Sequence, residues 1–234
     1  MKMNRFFLSL LSTLLMTSCA SEYSIEGTSS VSRLDGKMLF IKVPRHGKMV
    51  KVDSAEVVHG SFKMNGIADT ARIASLFMDD ESILPLVIEK GKIKISIDYA
   101  RSKVSGTPLN ESLYKFIDKK SAIDDKAYEL ERKESRMIMD GKEATEVEMV
   151  VKREREKIMN EMTILSKGFI KDNYQNILGP GMFVMLCSNL EYALITPAIQ
   201  AFLDESPDCF RQHPLVQDFI EIAKLNAEKL KVSH

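Results

Sequence analysis

The stretch KVDSAEVVHGSFKMNG, residues 51–66, decides the fold. It gathers Asp53, Ser54, Glu56 and His59 within seven residues, the residue types of a nucleophile, a base and an orienting acid. Its spacing argues otherwise. Val50 to Val58 reads as a strand, His59-Gly60 as a turn, and Ser61-Phe62-Lys63-Met64 as the return, with Phe62 and Met64 on one face. In a strand, Asp53, Ala55, Val57 and His59 point one way, and Ser54, Glu56 and Val58 the other. Ser54 and His59 then cannot share the short hydrogen bond that activates a serine. Nothing in the stretch marks a bulge that would re-aim either of them. Asp53-Ser54 is expected to serve backbone hydrogen bonding near a strand end.

The same texture extends in both directions. Tyr23 and Ile25 alternate with polar residues before Gly27, and Met38 to Val43 forms a strand closed by the turn Pro44-Arg45-His46-Gly47. Ile73 to Met78, Leu84 to Ile88, Ile93 to Ile97 and Lys103 to Ser105 follow, with Glu89-Lys90-Gly91 as a turn. About eight short strands with no helix between them indicate an antiparallel β-sandwich or barrel-like sheet. The period changes at Thr107-Pro108-Leu109-Asn110, where Asn110 is the expected N-cap. Leu113, Phe116, Ile123, Ala127, Leu130 and Met137 recur at helical spacing, and so do Val147, Val151, Ile158, Met162, Leu165 and Phe169. Asp140-Gly141 separates the two runs, which predicts a long helical hairpin.

Between Asp118 and Glu161 more than half the residues are charged, with nearly balanced signs. That pattern is expected of a solvated helix face with pairs such as Glu129–Lys133 and Glu148–Lys152. Met182 to Leu186 reads as a buried helix beginning at Gly179-Pro180-Gly181, and Ile195 to Leu203 as a shorter one. Pro214 suits the first turn of a last helix, with Leu215, Phe219, Ile222 and Leu230 on one face. The fold class is therefore α+β: a β-domain over residues 19–108 and an α-helical region over 109–234.

Residues 1–18 are expected to be a signal peptide. MKMNR carries two positive charges, and FFLSLLSTLLM is an apolar run of eleven residues. A transmembrane helix needs about 20 apolar residues, so this run is too short. Without Lys2 and Arg5, 31 basic residues face 33 acidic ones, a net charge of −2 that leaves no overall basic excess for nucleic acid or an anionic bilayer.

Candidate chemistry is sparse. Cys209-x-x-x-His213 places a thiol and an imidazole one helical turn apart, but a metal site needs three or four such ligands, and no further ligand has partner spacing. Asp79-Asp80-Glu81 lacks the 12-residue ligand spacing of a calcium loop. There is no glycine-rich phosphate loop and no GxSxG elbow. No catalytic, metal or cofactor set emerges. Export to an oxidising compartment permits a Cys187–Cys209 disulfide, and two buried free thiols are the alternative.

Leu15-Met16-Thr17-Ser18-Cys19 resembles the bacterial lipoprotein signal, which implies lipid attachment at Cys19 and anchorage through it. Ala20 resembles the outer-membrane sorting pattern. Tyr23-x-Ile25-x-Gly27, Val52-Asp53-Ser54-Ala55-x-Val57-x-x-Gly60-x-Phe62-x-Met64-x-Gly66, Leu86-x-Ile88-Glu89-x-Gly91 and Val104-x-Gly106-Thr107-Pro108-Leu109-Asn110 extend the resemblance. Together they look like the N-terminal domain of unknown function that precedes thioredoxin-like domains in exported lipoproteins of Gram-negative bacteria. The chain has neither Trp nor C-x-x-C, so the catalytic cysteines of that family have no positions here. The resemblance implies the non-catalytic half, tethered to a membrane and facing the periplasm or the cell surface; the expected role is a binding or accessory module whose target, a protein, a peptide or a small ligand, stays open, with the helical region as one surface for a protein partner. A redox accessory using Cys187 and Cys209 with an outside thioredoxin-like partner, and a structural lipoprotein that oligomerises through the hairpin, are the alternatives.

Overall fold

The computed structural model describes residues 22–45, 48–187 and 192–232. Residues 1–18, expected to be a signal peptide, Cys19 and His46-Gly47 lie outside the described residues. Eight strands come first: β1 (Glu22–Ser29), β2 (Met38–Arg45), β3 (Lys48–Glu56), β4 (Ser61–Ile67), β5 (Arg72–Met78), β6 (Glu81–Ile88), β7 (Gly91–Ile97) and β8 (Lys103–Ser105). They form two four-stranded sheets, β4-β1-β7-β8 and β3-β2-β5-β6, closed over one apolar core that includes Ile25, Leu39, Ile41, Leu76, Leu86 and Ile93. Among the described residues six α-helices follow: α1 (Pro108–Met139), α2 (Ala144–Asp172), α3 (Leu178–Cys187), α4 (Pro197–Glu205), α5 (Asp208–Arg211) and α6 (Pro214–Val232). The architecture is α+β.

The sheets are not wholly antiparallel. β1 pairs with β7 in parallel, from Tyr23↔Gly91 to Ser29↔Ile97. Successive strands reverse direction, so odd-numbered strands all travel one way. Seating the first strand beside the seventh therefore forces a parallel ladder. This direction rule gives the sandwich two ends. The near end carries the start of β1, the β2–β3 connection, the β4–β5 link and the β6–β7 turn. The far end carries the other connections, including Asp79-Asp80.

Two glycines let aromatic rings lie flat on the β1–β4 ladder. Phe62 opposes Gly27, and Tyr23 opposes Gly66. A Cβ at Gly27 would stand 2.0 Å from the Phe62 ring, and one at Gly66 2.7 Å from the Tyr23 ring. In both pairs the missing side chain is the space the ring occupies.

Contrary to expectation, β3 is bulged. Ile41 pairs with Asp53 and Lys42 with Lys51, so Val52 has no partner and stands as the extra residue. A bulge leaves no compositional trace when, as here, the inserted residue is itself a good strand former.

The helical region has its own core. Phe116, Phe169, Phe183, Phe210 and Phe219 pack with Val216, Leu178 and Ala223, and Val87 of β6 enters this cluster rather than the sandwich. Gly181 of α3 meets the Ile73 side chain, so the helices close onto the β5–β6 edge. α3 is less enclosed than its sequence suggests, since Met185 and Leu186 are exposed. The buried face of α6 is Val216, Phe219 and Ala223, while Ile222 and Leu230 are exposed. Apolar residues stand on two sides of α6, and its periodicity alone fits either.

Candidate functional site

The first turn of α1 locks the helices to the sandwich. Thr107 is the N-cap and Pro108 the first helical residue, whereas Asn110, the expected cap, lies inside the helix and is fully buried. Asn110 Oδ1 accepts the Val87 N–H at 2.9 Å, and its Nδ2 donates to the Val87 carbonyl at 2.8 Å. The orphan amides of the helix start find Glu89, whose Oε1 accepts from Leu109 N at 2.9 Å and from Asn110 N at 3.1 Å. One turn on, Tyr114 donates to the Pro85 carbonyl at 3.0 Å, which fixes α1 antiparallel to β6. Burial pushes the Tyr114 phenol well above its ordinary value. α1 therefore begins at the near end of the sandwich and runs toward the far end.

It does not stop there. At 1.5 Å per residue, a helix of 32 residues is about 48 Å long. Arg101 pairs with Asp118 at 2.8 Å, and further out an apolar cluster of Leu130, Val147 and Val151, flanked by Met137 and Ile158, draws on α1 and α2 alone. Phe116 meets Phe169 with ring centroids 4.4 Å apart, and Lys126 bonds Glu161, so positions rise along α1 as they fall along α2. The two helices run antiparallel through the turn at Asp140-Gly141, where Gly141 has φ +73°. The pair forms an arm flanked by two open grooves. One is lined by Ile138, Ala144, Val147 and Val151 among Glu134, Lys142, Glu148, Lys152 and Arg155. The other is lined mainly by charges around Leu130 and Ile158. Glu129 pairs with Arg132 rather than Lys133, and Glu148–Lys152 is not among the ion pairs of the described residues.

The expected site residues are dispersed. Asp53 faces inward, accepting the Tyr23 hydroxyl at 2.8 Å and the Ser54 amide at 2.7 Å. Burial and the Asp53 carboxylate raise the Tyr23 phenol far above its ordinary value. Ser54 lies on the opposite face of β3, paired with Phe40. His59 sits in the two-residue turn with Gly60, both at positive φ (52° and 70°), which Ser61 and Val58 close. Asp35 accepts the Gly60 amide at 3.1 Å and secures that turn. No hydrogen bond joins Ser54 to His59 among the described residues.

Cys187 is a buried free thiol in the helical core, and Cys209 an exposed one on α5. Burial pushes the Cys187 thiol up to about 11. His213 is not turned toward a metal. Its Nδ1 accepts the Leu215 amide at 3.3 Å and caps α6, and burial lowers its affinity for a proton. Among the described residues no group of three His, Cys, Asp or Glu could hold a metal ion, and no helix is long and apolar enough to cross a membrane.

This geometry has a known relative over its first part. Residues 23–113 match the family model of a domain of unknown function, DUF4369. The DUF4369 match takes in the eight strands from Tyr23 onward and the first turn of α1, so Glu89, Asn110 and their contacts with β6 and α1 fall within it. The arm beyond Leu113 falls outside it. No curated protein matches the chain.

Proposed function

We propose that the chain is a non-catalytic, lipid-anchored protein of the cell envelope, a binding module that holds a helical arm away from the bilayer to engage a protein partner. One observation carries this reading: the start of β1 and the free end of the α1–α2 arm lie at opposite ends of the sandwich. A tether at Cys19 leaves two residues before Glu22, so the near end stays close to the lipid and the arm points into the aqueous compartment. The arm offers alternating charges and exposed Tyr128, Met149 and Met159, a surface suited to a helical or extended protein segment. The resemblance of residues 15–19 to a lipoprotein signal supports the anchor.

Photo-crosslinking amino acids placed at Tyr128 and Met149, with Asp98 on the sandwich as control, test the reading in intact cells. An adduct of one defined mass from the arm positions alone supports a partner there. Adducts of twice the chain's own mass would favour the oligomerising lipoprotein instead. Equal adducts from Asp98, or none from the arm, overturn the proposal.

A further inference from the structure

The balanced net charge conceals a separation along the sandwich. Residues 36–52 hold five Lys or Arg and no Asp or Glu. Two of the five are taken up elsewhere. Lys37 lies at the far end, and Lys42 donates to the Asp79 carbonyl and reaches the Asp80 carboxylate at 3.5 Å. The remaining three, Arg45, Lys48 and Lys51, are exposed on the β2–β3 hairpin toward the near end, and Lys90 adds a fourth cation from the β6–β7 turn. Lys51 rests over the Phe40 ring at 4.7 Å. No carboxylate of the described residues forms an ion pair with any of these four. Met49, Val50 and Ile67 are exposed among them. Acidic residues at this end are Glu22, Asp69 and Glu111, which accepts the Gly106 amide, while Glu89 is held by the α1 amides. The far end leans the other way, with Asp35, Glu56, Asp79, Asp80, Glu81 and Asp98 against Arg33, Lys37, Arg101 and Lys103.

The chain also enters at the basic end. Glu22 pairs with Ile67, and the Tyr23 side chain touches Asp53, two residues from Lys51. Two residues, Ala20 and Ser21, separate Cys19 from Glu22, three steps along the chain and a reach of roughly 10 Å when fully extended. That is about the screening length of physiological salt, so cations at this end sense the headgroup charge of any bilayer that holds Cys19.

We propose that the near end of the sandwich is a bilayer-docking surface, on which Arg45, Lys48, Lys51 and Lys90 face the phosphates of anionic lipids while Met49, Val50 and Ile67 enter the headgroup layer. The reach argument rests on the anchor at Cys19. The surface chemistry does not, which lets the two be tested apart.

The chain from Ala20 onward retains all three apolar clusters and carries no lipid. Its partitioning is measured by sedimentation with vesicles of phosphatidylglycerol mixed with phosphatidylcholine, and with phosphatidylcholine alone. Binding at least about tenfold stronger on the anionic vesicles is expected. The triple variant Arg45→Gln, Lys48→Gln, Lys51→Gln should lose roughly 100-fold, at about fivefold per cation near the surface. A second variant, Asp79→Asn with Asp80→Asn at the far end, should leave binding unchanged. Equal binding to both vesicles, or an unaffected triple variant whose circular dichroism matches the parent, overturns the docking surface. Neither result bears on lipidation, which is read from the mass of the native protein.

Discussion

Asn110 engages both backbone arms of Val87, accepting its N–H at 2.9 Å and donating to its carbonyl at 2.8 Å. Val87 lies on β6, the outermost strand of its sheet, and its side chain packs into the helical core. One carboxamide thus stands in for a residue of a further strand, at the spot where the edge is buried rather than wet. Buried backbone groups must find partners, and here the partner comes from a helix that would otherwise only pack.

Replacing Asn110 by Ala leaves both Val87 groups unpaired in an apolar setting, with an expected loss of about 2–4 kcal/mol in urea unfolding. Asn110→Asp keeps the acceptor and forfeits the donor, so it should fall between. If the alanine variant unfolds at the parental midpoint, Asn110 is not what satisfies the edge.

Gly27→Ala should lose about 1–3 kcal/mol, because the new methyl meets the Phe62 ring at 2.0 Å. Pairing it with Phe62→Leu should return part of the loss, as the smaller side chain vacates the contested volume. Additive losses in the double variant would contradict a shared contact.

Cys187 and Cys209 should react at very different rates with an aromatic disulfide reagent, Cys209 at once and Cys187 only on unfolding. Burial raises the Cys187 thiol from 9.0 to about 11. A raised folded value means stability is complete below pH 9 and drains away as pH rises toward 11. Cys187→Ala should remove that part of the alkaline slope, up to about 2 kcal/mol. Fast labelling of both thiols in the native protein would revive the redox reading.

His213 gives the opposite limb. Burial lowers its folded value below 6.5, so the unfolded chain binds the proton first and stability falls as pH drops below 6.5. Protonation also removes the Nδ1 lone pair that caps α6. His213→Asn keeps a capping oxygen without a titrating ring and should flatten the acid limb in thermal melts between pH 5 and pH 7. An unchanged slope would assign the acid response to other groups.

The native protein should begin at a lipidated Cys19, read as a mass above that of the bare chain, and Cys19→Ser should move it from the membrane pellet to the soluble fraction once high salt screens the near-end cations. Retention of the serine variant in the pellet, with the leader removed, would mean that the protein is held by something other than that lipid.

How legible this structure is in its sequence depends on the range of the interaction. Alternation in Tyr23-x-Ile25 and Ile93-x-Ile95-x-Ile97, and the left-handed pair His59-Gly60, are local properties, and they mark strands and turn where the structure has them. The two seams from Phe116 to Met137 and from Val147 to Phe169 are equally local, and their members are buried or half-buried. The parallel β1–β7 ladder is set by which strands become neighbours across nearly 70 residues, and no local pattern records that. Asn110 looks like a cap because capping is a short-range habit of asparagine, whereas its bonds to Val87 span 23 residues. The basic near end is likewise invisible to net charge: the run from Lys37 to Lys51 can be read in the sequence, but only the fold brings Lys90 to the same end as Arg45, Lys48 and Lys51. For α6, Val216 and Ala223 were buried in preference to Ile222 and Leu230 by the position of Phe183 and its neighbours, not by hydrophobicity.

The place of β1 in its sheet has a mechanical meaning. It is an inner strand, hydrogen-bonded to β4 on one side and β7 on the other over seven residue pairs each. Any pull between a membrane and a partner gripping the arm enters the fold at Glu22 and runs along the strand axis. Both ladders then resist together in shear, instead of opening one bond at a time as an edge strand would. The strand nearest the proposed tether at Cys19 is thereby the part of the sandwich best built to carry tension.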